Sequence, residues 1–226
     1  MKNMIKLVVF DMAGTTIDED NVVYKTLRKA INKEGYDFSL EKVLEHGAGK
    51  EKLQAIKDII ALEKALVDIL KEADKIYNVF SNLLKMNYEK LDVKTYEGTV
   101  NVFQELKNQN IRVILNTGYN RKTASSLLAK LYWEQGVHYD LLVTADDVIK
   151  SRPHPDMILK AMQHYYVDDP SEVVKVGDSI IDIEEGQNAK CGITFGVTTG
   201  AHTKEQLASA NPSYIINSLT EILEYL

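Results

Sequence analysis

A single cysteine, Cys191, among 226 residues leaves no internal disulfide and no thiolate metal cage. That usage fits a reducing compartment, and a cytoplasmic location is expected. The five histidines, at positions 46, 138, 154, 164 and 202, show no metal-ligand spacing. No stretch approaches the roughly 18 consecutive apolar residues of a membrane span. The apolar N-terminal run from Ile5 to Phe10 is short, contains Lys6 and runs straight into Asp11, so it reads as a buried strand rather than a signal peptide. Repeats and low-complexity tracts are missing, and so is any basic patch. Lysine and arginine number 27 against 33 acids, and a net charge of −6 argues against nucleic acid or an anionic membrane as partner. What is present is an ordinary globular composition, 45% hydrophobic and 27% charged, which excludes intrinsic disorder and supports one large domain or a core with a modest insertion.

Two textures alternate along the chain. Apolar runs of strand length recur at Leu7–Phe10, Ile111–Leu115, Leu141–Val143, Val173–Val176, Ile193–Val197 and Tyr214–Ile216. Helix-length segments lie between the later ones, at Val100–Asn108, Lys122–Tyr132 and Asp156–Tyr165. This rhythm predicts an α/β fold with a doubly wound, mostly parallel, Rossmann-like sheet. Residues 18–96 break the rhythm with amphipathic patterns such as Val23, Leu27, Ala30, Ile31 and Ile76, Val79, Phe80, Leu83, Leu84. We expect residues 1–17 and 97–226 to form the α/β core and residues 18–96 to form an inserted helical cap. Gly98 would free the backbone at the return hinge.

Four strand ends carry polar clusters. Asp11-Met12-Ala13-Gly14-Thr15-Thr16 places a carboxylate at the carboxyl edge of the first strand, a position for a nucleophile or metal ligand, although one Asp can also simply turn the chain. Asn116-Thr117-Gly118-Tyr119-Asn120-Arg121 sets a hydroxyl and a glycine before a helix start, a phosphate seat or a plain helix cap. In Lys150-Ser151-Arg152-Pro153-His154-Pro155 two prolines stiffen the chain around an arginine suited to phosphoryl oxygens. Gly177-Asp178-Ser179-Ile180-Ile181-Asp182 spaces two acids four apart, on one face if the turn is helical, and a pair of that kind calls for a cation. Oxygen ligands without His or Cys favour magnesium.

In order and spacing the four clusters resemble the motifs of the haloacid dehalogenase superfamily, over nearly the whole chain. The resemblance implies an aspartyl-phosphate mechanism with Asp11 as nucleophile and Thr117 and Arg152 as phosphate binders. Asp11, the Ala13 carbonyl and Asp178 would hold magnesium, with Asp182 as a nearby acid. Most phosphatases of the superfamily carry a second Asp two residues after the nucleophile, to protonate the leaving alkoxide, where this chain has Ala13.

That absence, with Thr117-Gly118-Tyr119, Arg121, Arg152 and Val143-Thr144-Ala145-Asp146-Asp147-Val148, resembles the phosphonoacetaldehyde hydrolase branch. There a cap lysine condenses with the aldehyde, and the carbon leaves as an enamine that needs no acid. Gly49-Lys50-Glu51-Lys52-Leu53-Gln54-Ala55-Ile56 resembles the branch's lysine stretch and implies Lys52 as the Schiff-base residue, with Lys50 second. A neighbouring cation such as Lys50 or Arg121, or a closing apolar cap, would lower its pKa. Gly118, Tyr119, Arg121 and Lys50 complete the expected substrate contacts, and the substrate is expected to be a small phosphorylated or phosphonate metabolite. The chain departs from the branch at Ala48 and Ala55, where the branch has Met and His, and His46 is a possible replacement. Two alternatives stand beside this reading: a phosphatase for a small phosphate ester, and a catalytically faded relative that binds a phosphometabolite. Apolar cap helices also offer a face for pairing with a second copy.

Overall fold

The computed structural model describes residues 4–63 and 69–226. Its centre is a six-stranded, all-parallel sheet in the order β5-β4-β1-β6-β7-β8, with β1 at Leu7–Phe10, β4 at Arg112–Thr117, β5 at Leu141–Thr144, β6 at Val173–Gly177, β7 at Ile193–Val197 and β8 at Tyr214–Ile216. β1 is fully buried because both its faces are covered, as its unbroken apolar run requires. Val8 and Phe10 point to one face, where α5 (Thr99–Asn108) and α6 (Arg121–Lys130) supply Phe103, Leu106, Leu127 and Leu128. Leu7 and Val9 point to the other, packed with Met157 and Ile158 of α7 (Asp156–His164). Phe10, Phe103 and Trp133 pack ring to ring, tilted and then edge-on, at centroid distances of 5.1 and 5.3 Å. The expected doubly wound, Rossmann-like sheet is therefore the observed one.

Between the first two sheet strands the chain builds a helical unit of α1 (Val22–Asn32), α2 (Leu40–Gly47), α3 (Lys52–Ile60) and α4 (Ile69–Lys90). The stripes Val23, Leu27, Ala30, Ile31 and Ile76, Phe80, Leu84 are buried together with Ile56, Ile59 and Ile60 of α3, so the helices share one apolar interior. The helical expectation for residues 18–96 includes residues 64–68, which lie outside the described residues. The unit is tied at its base by a short antiparallel ladder that the helical patterns did not announce: β2 (Ile17–Asp18) pairs with β3 (Lys94–Thr95), and Thr95 Oγ1 donates to the Thr16 carbonyl at 3.1 Å. Among the described residues no helix is long and apolar enough to cross a membrane.

Candidate active site

Parallel order decides what meets at the sheet's carboxyl edge. Phe10 is level with Leu115 of β4 and Val176 of β6, so the next residues along, Asp11, Asn116 and Gly177, stand side by side across three adjacent strands. Asp11, Thr117 and Asp178 consequently fall within one small cleft, joined by Arg152 from the loop before α7. The rest of its lining is Ala13, Tyr24, Gly49, Lys52, Gly118 and Tyr119.

Arg152 is buried and fully committed. Nη1 donates to Asp11 Oδ1 at 2.6 Å and pairs with Asp182 Oδ1 at 2.9 Å, while Nε donates to Glu185 Oε2 at 3.0 Å. Nη2 donates to the Asn116 carbonyl at 2.8 Å and also to Asn116 Oδ1. Burial alone would favour losing its proton, but the carboxylates of Asp182, Asp11 and Glu185 outweigh that and hold it charged. Beneath it lies a second buried cation, Lys175 of β6, whose Nζ reaches Asn116 Oδ1 at 2.6 Å, Asp182 at 2.9 Å and Glu185 at 3.1 Å.

Asp182 answers both cations and accepts from Ser179 Oγ at 2.5 Å; Arg152 and Lys175 hold it ionised against the cost of burial. It lies in the first turn of α8 (Ile180–Asn188), whereas Asp178 precedes that helix, so the two acids meet by the turn between them and not along one helix face.

Asp11, Asp178 and Asp182 offer carboxylate oxygens within 4.8 Å of one another, all buried. Burial, then the neighbouring acids, pushes Asp178 above the usual carboxylate range; burial likewise raises Asp11, with Arg152 opposing. Asp178 is gripped by Thr15 Oγ1 at 3.1 Å and by the Ala201 amide at 2.6 Å, and a side chain on Gly14 would collide with its carboxylate. Asp11, Asp178, Asp182 and Glu185 face Arg152 and Lys175, an excess of two negative charges when all are ionised. A divalent cation with a preference for oxygen ligands fits that imbalance. Asp11, Ala13 and Asp178 line the cleft, while Asp182 is taken by the two cations.

The inserted unit brings Lys52 into the same cleft. It is the first residue of α3, capped by the Glu51 side chain, which accepts from the Leu53 and Gln54 amides. The side chain is only 6% exposed. Nζ approaches Tyr24 Oη at 3.4 Å, donates to the Lys50 carbonyl, and lies 4.9 and 5.2 Å from the Tyr24 and Tyr119 ring centroids. Burial pushes the amine down to about 8; Arg152 adds to the effect, while Glu51 and Asp11 oppose it.

The loop bearing Gly49 and Lys50 sits directly on the core. A Cβ on Gly118 would lie 2.6 Å from the Gly49 carbonyl oxygen, and one on Gly49 would lie 2.6 Å from Ser179 Oγ.

Three expected contacts are corrected. Arg121 does not line the cleft, because its guanidinium pairs with Asp147 and donates to the Leu142 carbonyl at 3.2 Å. Lys50 turns its ammonium to Asp58 at 2.5 Å and offers Lys52 only its carbonyl. Neither cation is therefore what lowers Lys52; burial comes first. His46 lies beside Glu45 at 3.6 Å and is not part of the cleft, so it does not stand in for the missing histidine. Ala48 and Ala55 are buried in apolar packing.

The haloacid dehalogenase-like hydrolase family model matches residues 5–190. The chain is a haloacid dehalogenase-like hydrolase. This hydrolase is 31% identical over 195 residues to the phosphonoacetaldehyde hydrolase of Latilactobacillus sakei subsp. sakei (strain 23K), covering 82% of this chain and 72% of the relative. It is 29% identical over 224 residues to that of Bacillus cereus (strain G9842), covering 91% and 81%. In fold it matches a phosphonoacetaldehyde hydrolase-like protein from Oleispira antarctica with a TM-score of 0.84 at 23% identity, covering 99% of this chain and 92% of that one.

Three residues of the hydrolase's site, and the buried Glu19 near it in the chain, escaped the sequence reading. Lys175 was visible as a charge inside the apolar run Val173–Val176, and Glu185 lies one helical turn beyond Asp182. Tyr24 and Glu19 gave no signal. Glu19 is 2% exposed, its carboxylate accepts from the Val23 amide at 3.2 Å, and burial pushes it up to about 8.

Proposed function

We propose that this chain is a magnesium-dependent hydrolase that cleaves the carbon–phosphorus bond of a 2-oxo phosphonate, phosphonoacetaldehyde being the simplest member of that class. The observation that carries the reading is Lys52: a buried amine with a lowered pKa facing the same small cleft as Asp11, Thr117 and Arg152. An ester phosphatase has no use for such an amine, and it needs an acid where this chain has Ala13.

The neutral Lys52 amine adds to the substrate carbonyl and expels water to give an iminium. An Asp11 oxygen attacks phosphorus in line. The carbon–phosphorus electron pair passes into the iminium, leaving an enamine on Lys52 and an aspartyl phosphate on Asp11. Water cleaves the aspartyl phosphate to inorganic phosphate and restores Asp11. The enamine takes a proton at carbon, and water releases the carbonyl product from Lys52.

Arg152 meets the negative charge of the transferring phosphoryl group, and its three carboxylate partners hold it charged and in place. Thr117 and the Gly118 amide border the same space. Magnesium, bound by Asp11, Asp178 and the Ala13 carbonyl, would supply further counter-charge. The Tyr24 hydroxyl, kept protonated by burial, is the proton-bearing group next to Nζ. The helical unit acts as a cap that brings Lys52 to the core and excludes water.

Phosphate release from phosphonoacetaldehyde with magnesium tests this. Asp11→Asn and Lys52→Ala should each lower turnover by on the order of 10⁴-fold or more. Turnover that survives Lys52→Ala would return the reading to an ester or acyl-phosphate phosphatase.

A further inference from the structure

A second, larger cleft of about 880 Å³ opens where the small one ends, between α4 and the core loops leading into α6. Lys52, Gly118 and Tyr119 belong to the walls of both, so the two clefts adjoin at Lys52. The volume far exceeds the needs of a two-carbon carbonyl compound and falls in the range of sites that enclose a larger ligand.

Two features of the lining point to what that ligand carries. Tyr88 and Tyr119 are only 8% and 4% exposed, yet among the described residues neither hydroxyl has a hydrogen-bond partner. Buried hydroxyls are ordinarily satisfied, and this pair offers donors to a ligand. The cleft's charges are also unequal. Its acids, Glu51 and Asp146, are engaged in capping α3 and in accepting from the Arg121 amide and the Thr144 hydroxyl. Lys85 and Lys122 line the cleft with no acid partner among the described residues.

We infer that the large cleft receives the part of the substrate beyond its carbonyl carbon. The substrate is then a 2-oxo phosphonate with an extended chain, bearing a hydrogen-bond acceptor for Tyr88 and Tyr119 and ending in an anion answered by Lys85 and Lys122. This rests on the assignment of Lys52 as the carbonyl-binding residue.

The test compares two ketones of like reactivity, 2-oxopropylphosphonate and 5-phosphonolevulinate, with phosphonoacetaldehyde as reference; hydrolysis of the longer ketone consumes one water and yields levulinate and phosphate. The expected result is a kcat/KM at least tenfold higher for 5-phosphonolevulinate than for 2-oxopropylphosphonate. The Lys85→Ala/Lys122→Ala double variant should abolish that advantage and leave the short ketone's rate unchanged. Equal rates for the two ketones, or a double variant that slows both alike, overturn the inference while Lys52-dependent turnover of phosphonoacetaldehyde still stands. Failure of all three compounds to release phosphate, with no borohydride-reducible adduct at Lys52, overturns the underlying assignment as well.

Discussion

Lys52 shows how one side chain takes its chemistry from its surroundings. The sequence stretch Gly49–Ile56 singled it out, but spacing does not tell which way a long side chain turns. Arg121 and Lys50 carry the same charge near the same motifs, and each finds a carboxylate away from the cleft, Asp147 and Asp58. Lys52 has Tyr24 and Tyr119 around it instead. Glu19 is the converse case, an acid at the exit from the core that carries no signal in the sequence and is buried in the fold. Its carboxyl is pushed up to about 8 from 4.5. The folded protein therefore holds a proton that the unfolded chain loses above about 4.5, and this group's contribution to stability falls between about pH 4.5 and 8 and then levels. Glu19→Gln, which keeps an acceptor for the Val23 amide, should remove that contribution. Urea unfolding of both proteins at pH 5 and pH 8 measures it: the variant should gain on the wild type as pH rises, and parallel pH dependences would contradict the burial argument.

At the scale of elements, β6 and α8 matter as much as the motif residues. Lys175 sits in the middle of a strand buried on both faces and ties β6 to Asn116 of β4 and to Asp182 and Glu185 of α8. This lattice fixes Arg152, and through it Asp11. Lys175→Met keeps the volume but leaves Arg152 as the sole cationic partner, among the described residues, of two buried carboxylates. A loss of about 3–5 kcal/mol is expected in urea unfolding, the usual cost of removing one partner from a buried ionic network. Little or no change would mean that the lattice contributes specificity rather than stability. The elements themselves were legible because β1 is an unbroken apolar run, its neighbours are largely apolar, and the helices of the inserted unit carry clear stripes. The β2–β3 ladder was not, since two-residue strands carry no periodicity. Nor was the seating of the Gly49–Lys50 loop on Gly118, which depends on an approach between chain segments about seventy residues apart.

For the whole molecule, a parallel sheet gathers residues from four distant stretches at one edge, and an inserted unit lays a lysine over them. That arrangement could be read from the order of the motifs, while the identity of the second cation and the large side cleft required the packed structure. The excess negative charge at the edge makes a global prediction. Magnesium should raise the melting temperature of the wild-type protein in a concentration-dependent way, as any ligand of the folded state does, and should do so much less in Asp178→Asn. Equal shifts in both proteins would place the ion elsewhere.

The most direct test of the central claim is borohydride trapping with phosphonoacetaldehyde, followed by peptide mass mapping across pH. The account predicts a reduced two-carbon adduct on Lys52 alone. Its formation rate should rise about tenfold per pH unit up to about pH 8 and level above it, following the neutral amine. Phosphate release from phosphonoacetaldehyde with no adduct on Lys52 at any pH would contradict it.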